Sequence, residues 1–140
     1  MQKNILSVIL GGWLTLTGVQ AQNRAENLPM DSLITVPQMS FVQTTYNYGT
    51  VRKGEKITTS FQFKNTGKKP LKILVVQASC GCTVTEWQRA SIPSGAVGEI
   101  NITLDTNLMK DATGKQTKSV LVITNAKNKE VLLSMEGEVN

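Results

Sequence analysis

The sequence predicts an all-β domain, a two-sheet sandwich of about seven strands, preceded by a cleavable signal peptide. Three observations carry this. From Met39 onward the chain is a series of short runs in which apolar and polar residues alternate, each bounded by turn residues. No window sustains apolar residues at spacings of three and four, so no substantial helix is expected. The first 21 residues hold a single charge, Lys3, then an apolar run from Ile5 to Val19, and end on Val19-Gln20-Ala21. Short side chains at the two positions that a signal peptidase inspects place cleavage after Ala21. Strands at this spacing suit an immunoglobulin-like sandwich, with a closed barrel of similar strand count as the competing architecture.

The expected organisation is a signal peptide over 1–21, a flexible leader over 22–38 and the sandwich domain over 39–140. The leader is polar and carries Pro29 and Pro37 with little periodicity. The first strand is expected at Ser40–Thr45, with Tyr46–Val51 continuing it as an extended segment or bulge. Lys53-Gly54-Glu55 is a turn. The next run sets Ile57, Thr59, Phe61 and Phe63 on one face and Thr58, Ser60, Gln62 and Lys64 on the other, so the aromatic pair should face the core. Asn65-Thr66-Gly67-Lys68 is a turn, since Asn and Gly both tolerate positive φ.

Pro70 opens a near-continuous apolar strand, Leu71–Ala78, which leads into Cys80. A short strand follows at Thr83–Trp87, then a loop containing Ile92-Pro93-Ser94-Gly95. Ile100, Ile102 and Leu104 share one face of the following strand. Residues 107–115 are mostly polar and are expected to form a loop before a strand at Ser119–Asn125. After a turn at Ala126–Lys129, Val131, Leu133 and Met135 line one face of the last strand. One core is expected, and a chain of this length holds no second domain.

Composition excludes several functions. Without Lys3 the 15 basic residues become 14 against 10 acidic ones. The basic residues are scattered, with Arg52-Lys53 and Lys68-Lys69 the only adjacent pairs and both at turns. No basic stripe interleaves with aromatics, so nucleic acid is not an expected partner. The mature chain should hold no membrane span, and it is expected in the periplasm or secreted. Histidine is absent, which removes Ser-His-Asp and Cys-His catalysis and imidazole metal ligands. Asp105, Asp111, Glu86 and Glu99 show no spacing that argues for an acid-base pair.

Chemistry therefore narrows to Cys80-Gly81-Cys82, which holds the only two cysteines. Outside the cytosol the pair can be oxidised. A disulfide there closes a loop of about three residues, worth only about 1.6 kcal/mol of chain entropy, and Cα atoms two apart in an extended strand sit near the limit of disulfide geometry. Gly81 should relieve this by permitting a turn. An easily reduced pair is a route to thiol-disulfide redox function, although no cation stands nearby in sequence, Lys72 and Arg89 being the nearest. Four-ligand zinc lacks ligands within one chain. Two-coordinate Cu(I) is chemically open, with a thioether from Met39, Met109 or Met135. The third option is that Cys80 and Cys82 are paired or partly buried loop residues with no reaction to perform. All three options stand at this point.

The order Asn65-Thr66-Gly67, Pro70-Leu71-Lys72-Ile73, Ala78-Ser79-Cys80-Gly81-Cys82-Thr83, Trp87, Ile92-Pro93-Ser94-Gly95, Asp105-Thr106, Gly114-Lys115, Ile123-Thr124-Asn125 and Gly137 resembles the bacterial family called domain of unknown function 1573. More loosely it is similar to the immunoglobulin-like domains of the major sperm protein and cilia-associated type. The resemblance covers about residues 40–139 and implies a sandwich fold and an exported location, with no activity to carry over. Members are often lipid-anchored or multidomain, whereas no lipobox cysteine stands here.

The expected function is an exported, non-catalytic binding or assembly module for a protein or cell-envelope component, with no cofactor. The alternative is a thiol-disulfide or Cu(I)-binding protein. Thr83 and Trp87 are candidate binding-loop residues beside the Cys80–Cys82 pair. Trp87 and Tyr48 could form an exposed aromatic platform, with core or rim packing as the plainer role. The Cys80–Thr83 loop is expected at one end of the sandwich, near the Ile92–Gly95 turn.

Overall fold

Among the described residues, eight strands form between Met39 and Val139: β1 (Met39–Phe41), β2 (Thr45–Val51), β3 (Lys56–Asn65), β4 (Ile73–Ala78), β5 (Thr83–Trp87), β6 (Val97–Asp105), β7 (Gly114–Thr124) and β8 (Glu130–Val139). The structure is a computed structural model that describes residues 35–110 and 113–140. The expected signal peptide and most of the leader lie outside the described residues.

The strands make two four-stranded sheets, β1-β3-β6-β5 and β2-β8-β7-β4, packed face to face. Alternation decides which side chains lie between them. Phe61 and Phe63 on β3, Ile100, Ile102 and Leu104 on β6, Val120 and Val122 on β7 and Leu133 and Met135 on β8 are all buried, as the period-two pattern requires. The outward residues Thr58 and Thr103 bond hydroxyl to hydroxyl at 3.0 Å, and Ser60 donates to Glu99 at 3.0 Å.

Three expectations need correction. The run Ser40–Thr45 is not one strand. It breaks at Val42–Thr44, where the chain crosses from β3, which β1 meets antiparallel, to β8, which β2 meets in parallel. That crossing raises the strand count from about seven to eight. The strand expected at Ser119 begins at Gly114, because β7 pairs with β8 along its whole length, Gly114 against Val139. At the open end of a sandwich, inward positions such as Gln116 and Lys118 need not be apolar, so alternation gave no signal there.

The strand expected over Leu71–Ala78 begins at Ile73 and lies at the edge of its sheet. β4 pairs only with β7, with a register irregularity between Ile73 and Val75, and Leu74 and Val75 are 51% and 44% exposed. The last leader residues are tied to the domain: Lys68 donates to the Val36 carbonyl at 3.1 Å, Lys127 to Pro37 at 2.9 Å and Thr66 to Gln38 at 2.9 Å. They hold the end of the sandwich formed by the β3–β4 and β7–β8 connections.

Candidate functional site

The cysteine loop lies at the opposite end. β4 delivers the chain to Ser79, whose N–H donates to the Ser119 carbonyl at 2.9 Å while its Oγ accepts from Ser119 N–H at 3.1 Å. The backbone turns over 79–82, and Asp105 N–H donates to the Cys82 carbonyl at 2.8 Å, starting the ladder between β5 and β6. The turn brings the Cα atoms of Cys80 and Cys82 to 5.2 Å, and the two sulfurs are bonded. Because the segment is turned and not extended, this separation sits inside the ordinary disulfide range, and the geometric limit expected for an extended strand does not apply.

The two halves of the bridge differ. Cys82 is buried at 3% exposure within the core cluster, whereas Cys80 is partly exposed. Thr83 Oγ1 stands 3.4 Å from Cys80 Sγ and 3.9 Å from Cys82 Sγ. Gly81 is exposed, its backbone is not left-handed, and a Cβ built on it would meet no atom within 4 Å beyond its two chain neighbours. The turn therefore does not depend on glycine, contrary to expectation.

An open depression of about 470 Å³ beside the bridge is lined by Cys80, Gly81, Cys82, Leu108, Met109, Lys110 and Lys118. Its far wall is the segment after β6. Asp105 Oδ1 caps a short 3-10 turn by accepting from Asn107 N–H at 3.0 Å. The buried Thr106 hydroxyl donates to the Glu55 carbonyl at 2.7 Å and accepts from Gly54 N–H at 2.8 Å. This anchoring sets Leu108, 60% exposed, at the mouth of the depression. Lys118 comes from β7, where it stands in register with Met135.

Sequence reading missed both lysines, since they approach from β7 and from the segment after β6. The nearest basic residues in sequence are elsewhere: Lys72 N–H bonds Asn125 at the other end, and the Arg89 guanidinium lies over the Trp87 ring, 3.7 Å from its centroid. The alternation of β7, extended back from Ser119, was the signal that could have placed Lys118.

The expected neighbour of this loop is also wrong. Ile92 bridges to Leu71, two residues before β4, so the Ile92–Gly95 turn sits at the end of the sandwich remote from the cysteines. Thr83 joins the bridge, but Trp87 does not. Trp87 pairs with Ile100, whereas Thr83 pairs with Leu104, which puts the indole at the far end of β5. It is partly buried against the core, and its Nε1 is buried with no hydrogen-bond partner among the described residues. Tyr48 belongs to the other sheet, so the two rings form no common platform. Its hydroxyl is also buried and has no partner among the described residues, and burial pushes the phenol above its usual 10.0.

Of the three thioethers considered for copper, Met109 lines the depression, while Met39 pairs with Asn65 at the other end. Oxidised sulfurs offer no thiolate to a soft metal. Among the described residues, no group of three or more His, Cys, Asp or Glu side chains converges, and no helix is long and apolar enough to cross a membrane.

A family model described as "Protein of unknown function (DUF1573)" matches residues 39–139. No curated protein matches the sequence. Among solved structures, a protein of unknown function from Porphyromonas gingivalis superposes with a TM-score of 0.65 at 19% identity, covering 73% of this chain and 46% of that one. The ASH/PapD-like domain 7 of human CEP192 gives 0.60 at 9% identity, covering 76% and 87%. The secreted serine protease VesC of Vibrio cholerae gives 0.55 at 13% identity, covering 79% of this chain and 24% of the protease. At these identities the likeness is one of fold.

Proposed function

The chain belongs to the DUF1573 family across residues 39–139, and from that premise we propose that it is an exported, non-catalytic binding or assembly module that takes an extended segment of a partner protein along the open edge of β4. The observation that carries this reading is how unguarded that edge is. Sheet edges are normally blunted by charge, proline, bulges or shortness. β1 has 3 residues, β2 is interrupted by a register shift between Asn47 and Gly49, and β5 carries Glu86. β4 reads Ile-Leu-Val-Val-Gln-Ala, without charge or proline, and is regular from Val75 to Ala78.

The apolar surface continues across the outer face of this sheet. Val75 pairs with Ile123, and Leu121 pairs with Leu132, which is itself exposed. An added strand would gain main-chain hydrogen bonds from the edge and side-chain burial from this face. The Ser79–Ser119 bond fixes the alternation of the ladder. Val76 and Ala78 therefore turn their N–H and C=O groups away from β7, toward the open edge.

A photo-crosslinking residue at Gln77 in the full chain, produced in its native cells, tests the reading. Cross-links to a protein at Gln77, absent at Thr58 on the opposite sheet and lost when Ala78→Pro removes an outward N–H, are the expected result. Equal labelling at both positions, or labelling unaffected by Ala78→Pro, would refute it.

A further inference from the structure

The cysteine end supports a second function that stands apart from the β4 edge. We propose that Cys80–Cys82 is an exchange-active disulfide, which oxidises a dithiol carried on an acidic protein segment, with Cys80 as the sulfur attacked. Four features converge on it. The bridge is built asymmetrically, with Cys80 partly exposed and Cys82 buried at 3%, so Cys80 is the half that an incoming thiolate meets first. Gly81 has no conformational or packing reason to be glycine. Its missing side chain leaves the flank of the bridge bare for another backbone to approach.

Lys110 and Lys118 line the same depression. They raise the local concentration of an anionic nucleophile. Thr83 Oγ1 lies within reach of both sulfurs and can donate to whichever carries negative charge.

The exchange balances without a further reagent. A substrate thiolate attacks Cys80 Sγ; the Cys80–Cys82 bond breaks, a mixed disulfide forms at Cys80, and the electron pair leaves on Cys82 Sγ. The second substrate thiolate then attacks its neighbour's sulfur in that mixed disulfide and releases Cys80 as thiolate. The substrate dithiol has become a disulfide, the protein holds two thiols, and the two substrate protons are taken up by Cys80 and Cys82.

The test uses the oxidised full chain and two small thiols of opposite charge, glutathione and cysteamine, with acid quenching and mass spectrometry. Glutathione adducts should map to Cys80. The double variant Lys110→Glu, Lys118→Glu should slow glutathione about fivefold and leave cysteamine as fast or faster, since only the sign of the local field changes. Gly81→Val should slow both thiols while circular dichroism stays that of the parent. Dithiothreitol should yield one equivalent of its oxidised form per chain. Adducts on Cys82, equal slowing of both thiols by the charge reversals, or no reaction with millimolar glutathione would each overturn the proposal.

Discussion

Asn65 shows how one side chain can hold an end of the molecule. It is fully buried at the last position of β3, and its Nδ2 donates to the Lys69 and Ile92 carbonyls at 2.8 and 3.0 Å. Its Oδ1 accepts from Gly67 N–H at 3.1 Å and Gln38 N–H at 3.3 Å. Sequence reading took Asn65-Thr66-Gly67 for a turn that used positive φ. The turn is there, but Gly67 is not left-handed. A Cβ on it would collide with the Val36–Gln38 backbone, a contact that no local pattern reveals. Asn65→Ala should cost about 3 kcal/mol, read from urea midpoints, because it orphans several buried backbone groups at once. Tyr48 presents the opposite case, a buried hydroxyl with no hydrogen-bond partner among the described residues. Tyr48→Phe should be neutral or stabilising by up to about 1 kcal/mol. Its raised pKa fixes the sign at alkaline pH. The unfolded chain ionises first, so the Tyr48 contribution is intact below the usual 10.0 and is lost as pH rises through the folded value. A pH titration of stability should lose that slope in the Phe variant.

At the scale of elements, alternation made β3, β6 and β8 legible because both of their neighbours are in place and every second residue must be apolar. Phe61, with no exposed surface, should cost about 3–5 kcal/mol when replaced by Ala. Gly81→Val should cost far less, since its Cβ meets open space; comparable losses in thermal unfolding would show that the loop belongs to the core. The place of β4 in its sheet is not legible in the sequence, for a physical reason. A run such as Leu71–Ala78 resembles a strand buried on both faces, and an apolar edge strand has the same composition. What distinguishes them is the pairing partner, and β4 has only β7. The first half of β7 carries no alternation signal because polar residues such as Gln116 and Lys118 take its inward positions.

For the whole molecule, the sandwich was legible from strand number and spacing, whereas the positions of the two ends were not. Strand pairing sends Cys80–Cys82 to the end that also holds Thr106, Lys110 and Lys118, away from Ile92–Gly95. Sequence proximity pointed to the wrong cations for the same reason. Because the bridge closes so short a ring, its reduction should lower global stability by no more than about 1.6 kcal/mol, measurable as the shift in urea midpoint with reductant. The fold thus keeps its sheets whatever the state of the bridge, and the β4 edge remains available. Amide hydrogen exchange at Val76 and Ala78, in the chain alone and in the complex with the partner captured from Gln77, tests that edge most directly. Both amides should exchange quickly in the free chain and become protected in the complex; exchange unchanged at Val76 and Ala78, with protection appearing elsewhere on the molecule, would contradict the assignment.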